Sequence, residues 1–221
     1  MFNRLARPPA AAAIAAPLPL VLRDSLLTGF AAEALVVPPK PAALGMLLRG
    51  EANDAAAQQI AATLFVVVGR DHEAALLHDC ALATRRKARA LAPLVGAPLD
   101  TVDAAGLLHR AGEACALRAL AHAEAGTQVR LDAPSRAELC AQHQGQFTEQ
   151  LIRDWELPPP VAEVLRTWRQ FRATVSLAAA VVYYAHLLAS HELHPEFFAP
   201  GLLRSVGAEL GIDPIHLAAI A

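Results

Sequence analysis

The chain has 221 residues, of which 55% are hydrophobic, 5% aromatic and 18% charged, a balance that excludes disorder and favours packed, alanine-rich helices. A formal charge of -2, with no like-charge run longer than Arg85-Arg86-Lys87, excludes a basic groove for electrostatic capture of nucleic acid. Past the N-terminus no apolar run approaches the ~20 residues that span a bilayer, so no membrane partner is expected.

The N-terminus, MFNRLARPPAAAAIAAPLPL, sets Arg4 and Arg7 before an apolar run and imitates a secretory signal. Pro17 and Pro19 interrupt that run and no disulfide pattern follows. A mobile alanine/proline arm over residues 1–19 is therefore preferred, with export as the alternative. Pro41 opens a short helix through Leu44, Leu47 and Leu48 that Gly50 stops. Asn53 or Asp54 caps the next helix. Its end is ambiguous, because Leu64-Phe65-Val66-Val67-Val68-Gly69 also suits a buried strand; with no strand partner nearby, helix is expected.

Asp71 is predicted to cap a long helix to about Ala92, ended by Pro93, and Asp100 with Asp103 to start another that runs to Gly126. These neighbours should pack antiparallel. Ser135-Arg136-Ala137-Glu138 has the form of a capping box, opening a helix to Trp155. Leu157-Pro158-Pro159-Pro160 breaks that helix before VAEVLRTWRQF. A further helix is expected from Val175 to about His191, and Asp213-Pro214 opens a last one at Ile215. The fold class predicted is all-α, a multi-helix array joined by short turns.

Cys80, Cys115 and Cys140 lie far apart, odd in number and without C-x-x-C spacing. They are expected to be buried thiols in a reducing compartment, and no metal or redox role is assigned to them. No Gly-rich phosphate loop, nucleophile elbow or partnered cysteine nucleophile is present, so no catalytic residue is assigned and no cofactor is expected. Among the histidines, His78 on the helix from Asp71 and His109 on the helix from Asp100 could meet if those helices pack antiparallel, and His186 lies on a later helix. Arg85, Arg86 and Arg89, with Arg110, are weak candidates for an anion site that would take a phosphate or cyclic dinucleotide.

Leu107-Leu108-His109-Arg110-Ala111-Gly112 resembles the L-L-H-D-x-G stretch of the HD superfamily, whose metal phosphohydrolases use an upstream histidine, the His-Asp pair and a later aspartate. His78 falls where the upstream histidine would be. The chain more closely resembles the HDOD family, a divergent and largely regulatory branch. Val37-Pro38-Pro39-Lys40-Pro41 resembles its N-terminal entry, the run Gln150 to Pro158 followed by Val161 to Leu165 its helix, tryptophan and L-P turn, and Ala178 to Leu188 its later apolar helix. Between residues 60 and 75 the chain is shorter than the family pattern.

On this resemblance the fold is an HDOD-like helical array. Residues 20–70 form a short N-terminal helical lobe and residues 71–221 an HD-like core, with a single compact unit of the two as the alternative. The vestigial site positions are His78, Asp79, His109, Arg110 and His186. Arg110 stands where the metal-binding aspartate belongs; facing the site, about 5 Å from a dication, it would cost roughly 7 kcal/mol at an effective dielectric of about 20. Trp168-Arg169 occupies positions where family members often carry histidines. Aligning His78-Asp79 itself as the His-Asp pair fails, because His72 is only six residues upstream. A three-histidine zinc site of His78, His109 and His186 is chemically allowed and opposed by Arg110. No metal is therefore assigned.

The resemblance implies a cytoplasmic, non-catalytic regulatory or scaffold module of bacterial signalling that has lost its metal site and works through contacts with unidentified proteins, with homo-oligomerisation open. The alternatives are a residual metal phosphohydrolase and a cyclic-dinucleotide or phosphate sensor.

Overall fold

A computed structural model describes residues 37–170, 176–197 and 201–212. These residues form an all-α array: α1 (Leu44–Leu48), α2 (Asp54–Leu64), α3 (Asp71–Val95), α4 (Leu99–Leu108), α5 (Ala111–Thr127), α6 (Ala133–Asp154), α7 (Pro159–Thr167), α8 (Leu177–Leu193), a 3-10 turn (Pro195–Phe197) and α9 (Leu202–Glu209). The expected arm over residues 1–19 and the helix from Ile215 lie outside the described residues. Among the described residues no helix is long and apolar enough to cross a membrane.

The caps explain several boundaries. Asn53 accepts a hydrogen bond from the Ala56 amide and starts α2. The start of α6 departs from the expected box: Asp132 is the cap, its carboxylate accepting from the Ser135 amide at 2.9 Å, and Pro134 lies in the first turn. Aspartate at the end of an extended segment supplies the acceptor one turn earlier than Ser135 could. Pro93 does not stop α3, which continues to Val95; Gly96, at a φ of +72°, ends it in the left-handed conformation that glycine adopts at least cost. Asp71 lies in the first turn of α3 rather than at its cap, which Arg70 occupies.

Two further expectations are corrected. The stretch after Leu64 is neither helix nor strand: Phe65 and Val67 are buried while Val66 and Val68 are exposed, so a short loop drops alternate side chains into the core. Arg118 holds this loop by donating to the carbonyls of Thr63 and Val66. The single helix expected over residues 100–126 is two, α4 and α5, interrupted at His109 and Arg110.

Helix α4 is the axis of the molecule. Every side chain from Thr101 to Leu108 is buried, the mark of a helix covered on all faces. It packs on α3, α7, α8 and α1, while α3 also packs along α8, and α5 pairs with α6. Two glycines set these approaches. A methyl on Gly106 would come within 3.2 Å of the Arg85 backbone and of Ala88, and one on Gly112 would collide with Thr148 and the Gln144 carbonyl. Gly106 and Gly112 thus let α4 close on α3 and α5 close on α6, on either side of His109.

The N-terminal segment is stitched to the rest. Trp155 Nε1 donates to the Pro38 carbonyl at 2.9 Å and Lys40 pairs with Glu156. One continuous apolar core runs from Val37 to Ile212.

Candidate functional site

Two clusters of buried polar groups form where α3 and α4 pack. In the first, Asp103 of α4, fully buried, faces Arg85 of α3, which is 2% exposed. Arg85 Nη2 donates to Asp103 Oδ2 at 3.3 Å and to the Ala52 carbonyl at 2.7 Å, while Nη1 reaches Asp54 Oδ1 at 2.9 Å. The Nε–Oδ1 approach of 2.7 Å is an ion pair without a hydrogen bond. Arg89 Nη1 adds a second cation on Asp103 Oδ2 at 2.8 Å. The anion surface expected from Arg85, Arg86, Arg89 and Arg110 is therefore not assembled. A buried carboxylate claims Arg85 and Arg89, Arg86 points outward, and Arg110 is paired elsewhere.

The second cluster forms where α4 ends. The ring of His109, buried at the α4 terminus, donates from Nδ1 to the Gly106 carbonyl at 2.9 Å. That bond fixes the tautomer and leaves Nε2 with a free lone pair. Nε2 lies 3.1 Å from Nδ1 of His186 on α8, which must carry the proton between them. His186 Nδ1 is also 3.5 Å from Cys80 Sγ on α3. The ligand atoms of Cys80, His109 and His186 lie within 4.8 Å of one another. Burial pushes the His109 imidazole well below its ordinary range, with further lowering from His186 and Arg110. Burial likewise lowers His186 to about 3, helped by Arg110 and Arg169. Both rings are neutral at pH 7.

Trp168, at the end of α7, closes one side of this cluster. Its ring packs edge-on against His109 at 4.7 Å and His186 at 5.0 Å between centroids. Arg169 lies over the outer face of the same indole, 4.8 Å from its centroid. Arg110 turns to Glu113, donating from Nε at 2.9 Å and from Nη2 at 2.5 Å, and Arg169 reaches Glu113 at 3.3 Å. Arg110 also interacts with Cys80. A cavity of about 330 Å³ reaches the cluster from the Cys80 side, lined by Leu76, Leu77, Leu117 and Leu193 with Arg110 and Glu113. A second, of about 430 Å³, touches His186, Trp168 and Arg169.

Of the sequence-predicted positions, the structure brings together His109, His186 and the neighbouring Arg110. It does not bring His78 or Asp79 to them. His78 is paired with its neighbour Asp79 at 2.9 Å on the outward side of α3. The reason is helical geometry: residues two apart on a helix face nearly opposite directions, and the inward face of α3 carries Leu77, Cys80, Ala81 and Thr84. The meeting of His78 with His109 is thus corrected, and the three-histidine arrangement with it.

Cys80 takes the inward place. All three cysteines are free and buried, but only Cys80 belongs to this cluster; burial pushes the Cys115 and Cys140 thiols up to about 12. The signal that could have found Cys80 was its membership of the buried stripe Leu77, Ala81, Thr84, Ala88. Chemically, the cluster offers one sulfur and two imidazole nitrogens and includes no carboxylate. No protein-family model matches the chain, nor does any curated protein or any solved structure.

Proposed function

We propose that the chain is a non-catalytic regulatory or scaffold module of the HDOD kind, working in bacterial signalling through protein contacts and retaining only the outline of a hydrolytic centre. The observation that carries this reading is the donor set. His109 and His186, the positions that the resemblance assigns to one site, meet at 3.1 Å, but a thiol joins them where a metal phosphohydrolase needs carboxylates to hold its ion and activate water. The nearby carboxylate, Glu113, is held by Arg110 and Arg169. Trp168 covers the histidines. The upstream position of the resemblance departs from the pattern, since Cys80 and not His78 faces the site.

Contact chemistry is available beside this centre. Leu76 and Leu193 stay exposed at the rim of an apolar cavity, flanked by the Arg136–Glu73 and Arg110–Glu113 pairs. Such a rim suits an amphipathic segment of a partner protein. The test has two arms. Incubation with Mn²⁺, Ni²⁺ or Fe²⁺ and phosphomonoester or phosphodiester substrates is expected to give no turnover. Size-exclusion chromatography with light scattering, together with cross-linking in the source cell, is expected to give a self-associated or partner-bound species that Leu76→Asp with Leu193→Asp disrupts. Metal-stimulated turnover that His109→Ala abolishes would overturn the reading, as would a strict monomer that cross-links to nothing.

A further inference from the structure

The cluster of Cys80, His109 and His186 has features that a merely vestigial centre does not require. His109 Nδ1 is committed to a backbone carbonyl, the outer-shell bond that orients a ligating imidazole and turns the lone pair of its other nitrogen inward. That lone pair, His186 Nδ1 and Cys80 Sγ converge from three different helices, α4, α8 and α3. Metal–nitrogen bonds of about 2.0 Å and metal–sulfur bonds of about 2.3 Å put three ligand atoms about 3.5–3.7 Å apart around one ion. The observed N–N and N–S separations of 3.1 and 3.5 Å fall about 0.2–0.4 Å inside those edges, so the two imidazoles part slightly to admit the ion. The remaining edge lies within 4.8 Å and closes with a swing of the Cys80 sulfur of about 1 Å.

Charge and access then select among ions. A dication on one thiolate would leave a net positive centre beside Arg110, which interacts with Cys80, and near Arg169; Glu113 is shared between those two guanidiniums. A monovalent ion on the same thiolate is neutral and meets no such repulsion. Trp168 packs against both imidazoles, which suits an ion content with three ligands. Sulfur with imidazole is the donor chemistry of soft d10 cations. We propose that Cys80, His109 and His186 form a three-coordinate binding site for monovalent copper.

On binding, the Cys80 thiol loses its proton to solvent, and the proton on His186 Nδ1 moves to Nε2 of the same ring. No electron is transferred. The apolar cavity beside Cys80 supplies an entry path. This inference stands apart from the partner-binding reading, because metal retention and partner capture are separate readouts.

The experiment is an anaerobic titration of the full chain with Cu(I) against a chromophoric Cu(I) chelator, followed by X-ray absorption on the loaded protein. The expected result is one equivalent withdrawn per chain and a first shell of one sulfur and two nitrogens. Cys80→Ser and His186→Gln should each weaken retention at least a hundredfold, whereas Cys140→Ser, which keeps the three ligands, should not change it. Circular dichroism checks that each variant is folded, and the absorption spectrum of the wild-type protein needs no variant. No withdrawal of copper by the wild-type chain would overturn the proposal. So would a shell without sulfur, or Zn²⁺ or Co²⁺ bound in preference to Cu(I).

Discussion

The two buried polar clusters between α3 and α4 are a few residues apart in sequence and opposite in character. At Arg85 and Asp103, two cations face one carboxylate, and a carbonyl and Asp54 take further guanidinium donors, with Nε and Oδ1 of the central pair in ionic contact alone. At His109 and His186, neutral nitrogens and a sulfur converge with one proton between the two rings. A closed set of opposite charges spends its chemistry on holding helices together. A convergent set of neutral donor atoms, held by one shared proton, keeps chemistry in reserve, and that contrast separates a structural node from a candidate site.

The strongest way to break the contrast is to open the closed node. Asp103→Ala leaves Arg85 buried without its main counter-charge, and stability should fall by about 3–5 kcal/mol in urea denaturation. Replacing Arg85 and Asp103 together by Met and Leu should recover most of that loss, because the penalty comes from the orphaned charge. A loss under about 1 kcal/mol for Asp103→Ala would mean that the node is not structural.

The second cluster should respond to acid instead. With His186 at about 3 in the fold and near 6.5 when unfolded, the unfolded chain binds the extra proton between those values, so stability falls as pH drops from 6.5 toward 3. At pH 5 the loss from His186 is up to about 2 kcal/mol. Denaturation in a metal chelator at pH 7 and pH 5 measures it, and His186→Gln should flatten the slope. A slope unchanged in that variant would place the titration elsewhere.

Gly106→Ala tests whether both clusters depend on one helix approach. Its methyl would meet the Arg85 backbone at 3.2 Å, and pushing α4 off α3 should cost about 1–3 kcal/mol. Nuclear magnetic resonance should report shifts at His109 and Arg85 together; a shift at one alone would uncouple the clusters. The smallest effect belongs to the surface. The exposed Arg166–Glu149 pair has good bidentate geometry, at 2.6 and 2.7 Å, yet Glu149→Ala should cost only about 0–1 kcal/mol, giving a baseline for the buried variants.

What the sequence by itself determined is local. The all-α class, the cap at Asn53, the breaks at Gly50 and at Leu157 to Pro160, and the buried cysteines follow from helix period, capping chemistry and proline, which act within one or two turns. Only tertiary structure decided which buried residues meet. The split of the helix at His109 and Arg110 was not legible, because Gly106 and Gly112 flank the break without standing at it, and a glycine inside a helical pattern does not by itself mark an end. Nor was the exchange of His78 for Cys80, since a motif matched along the chain does not specify which face of α3 turns inward; packing on α4 and α8 does. The pairing of Arg85 with Asp103 joins residues from two helices, and α9 formed where no cap announced it. Gly106 and Gly112, on either side of His109, are positions where neighbouring helices leave no room for a side chain. The physical reason is common to all of these. Propensity is a property of neighbours in the chain, whereas a site is made by distant residues whose buried polar groups must be satisfied together.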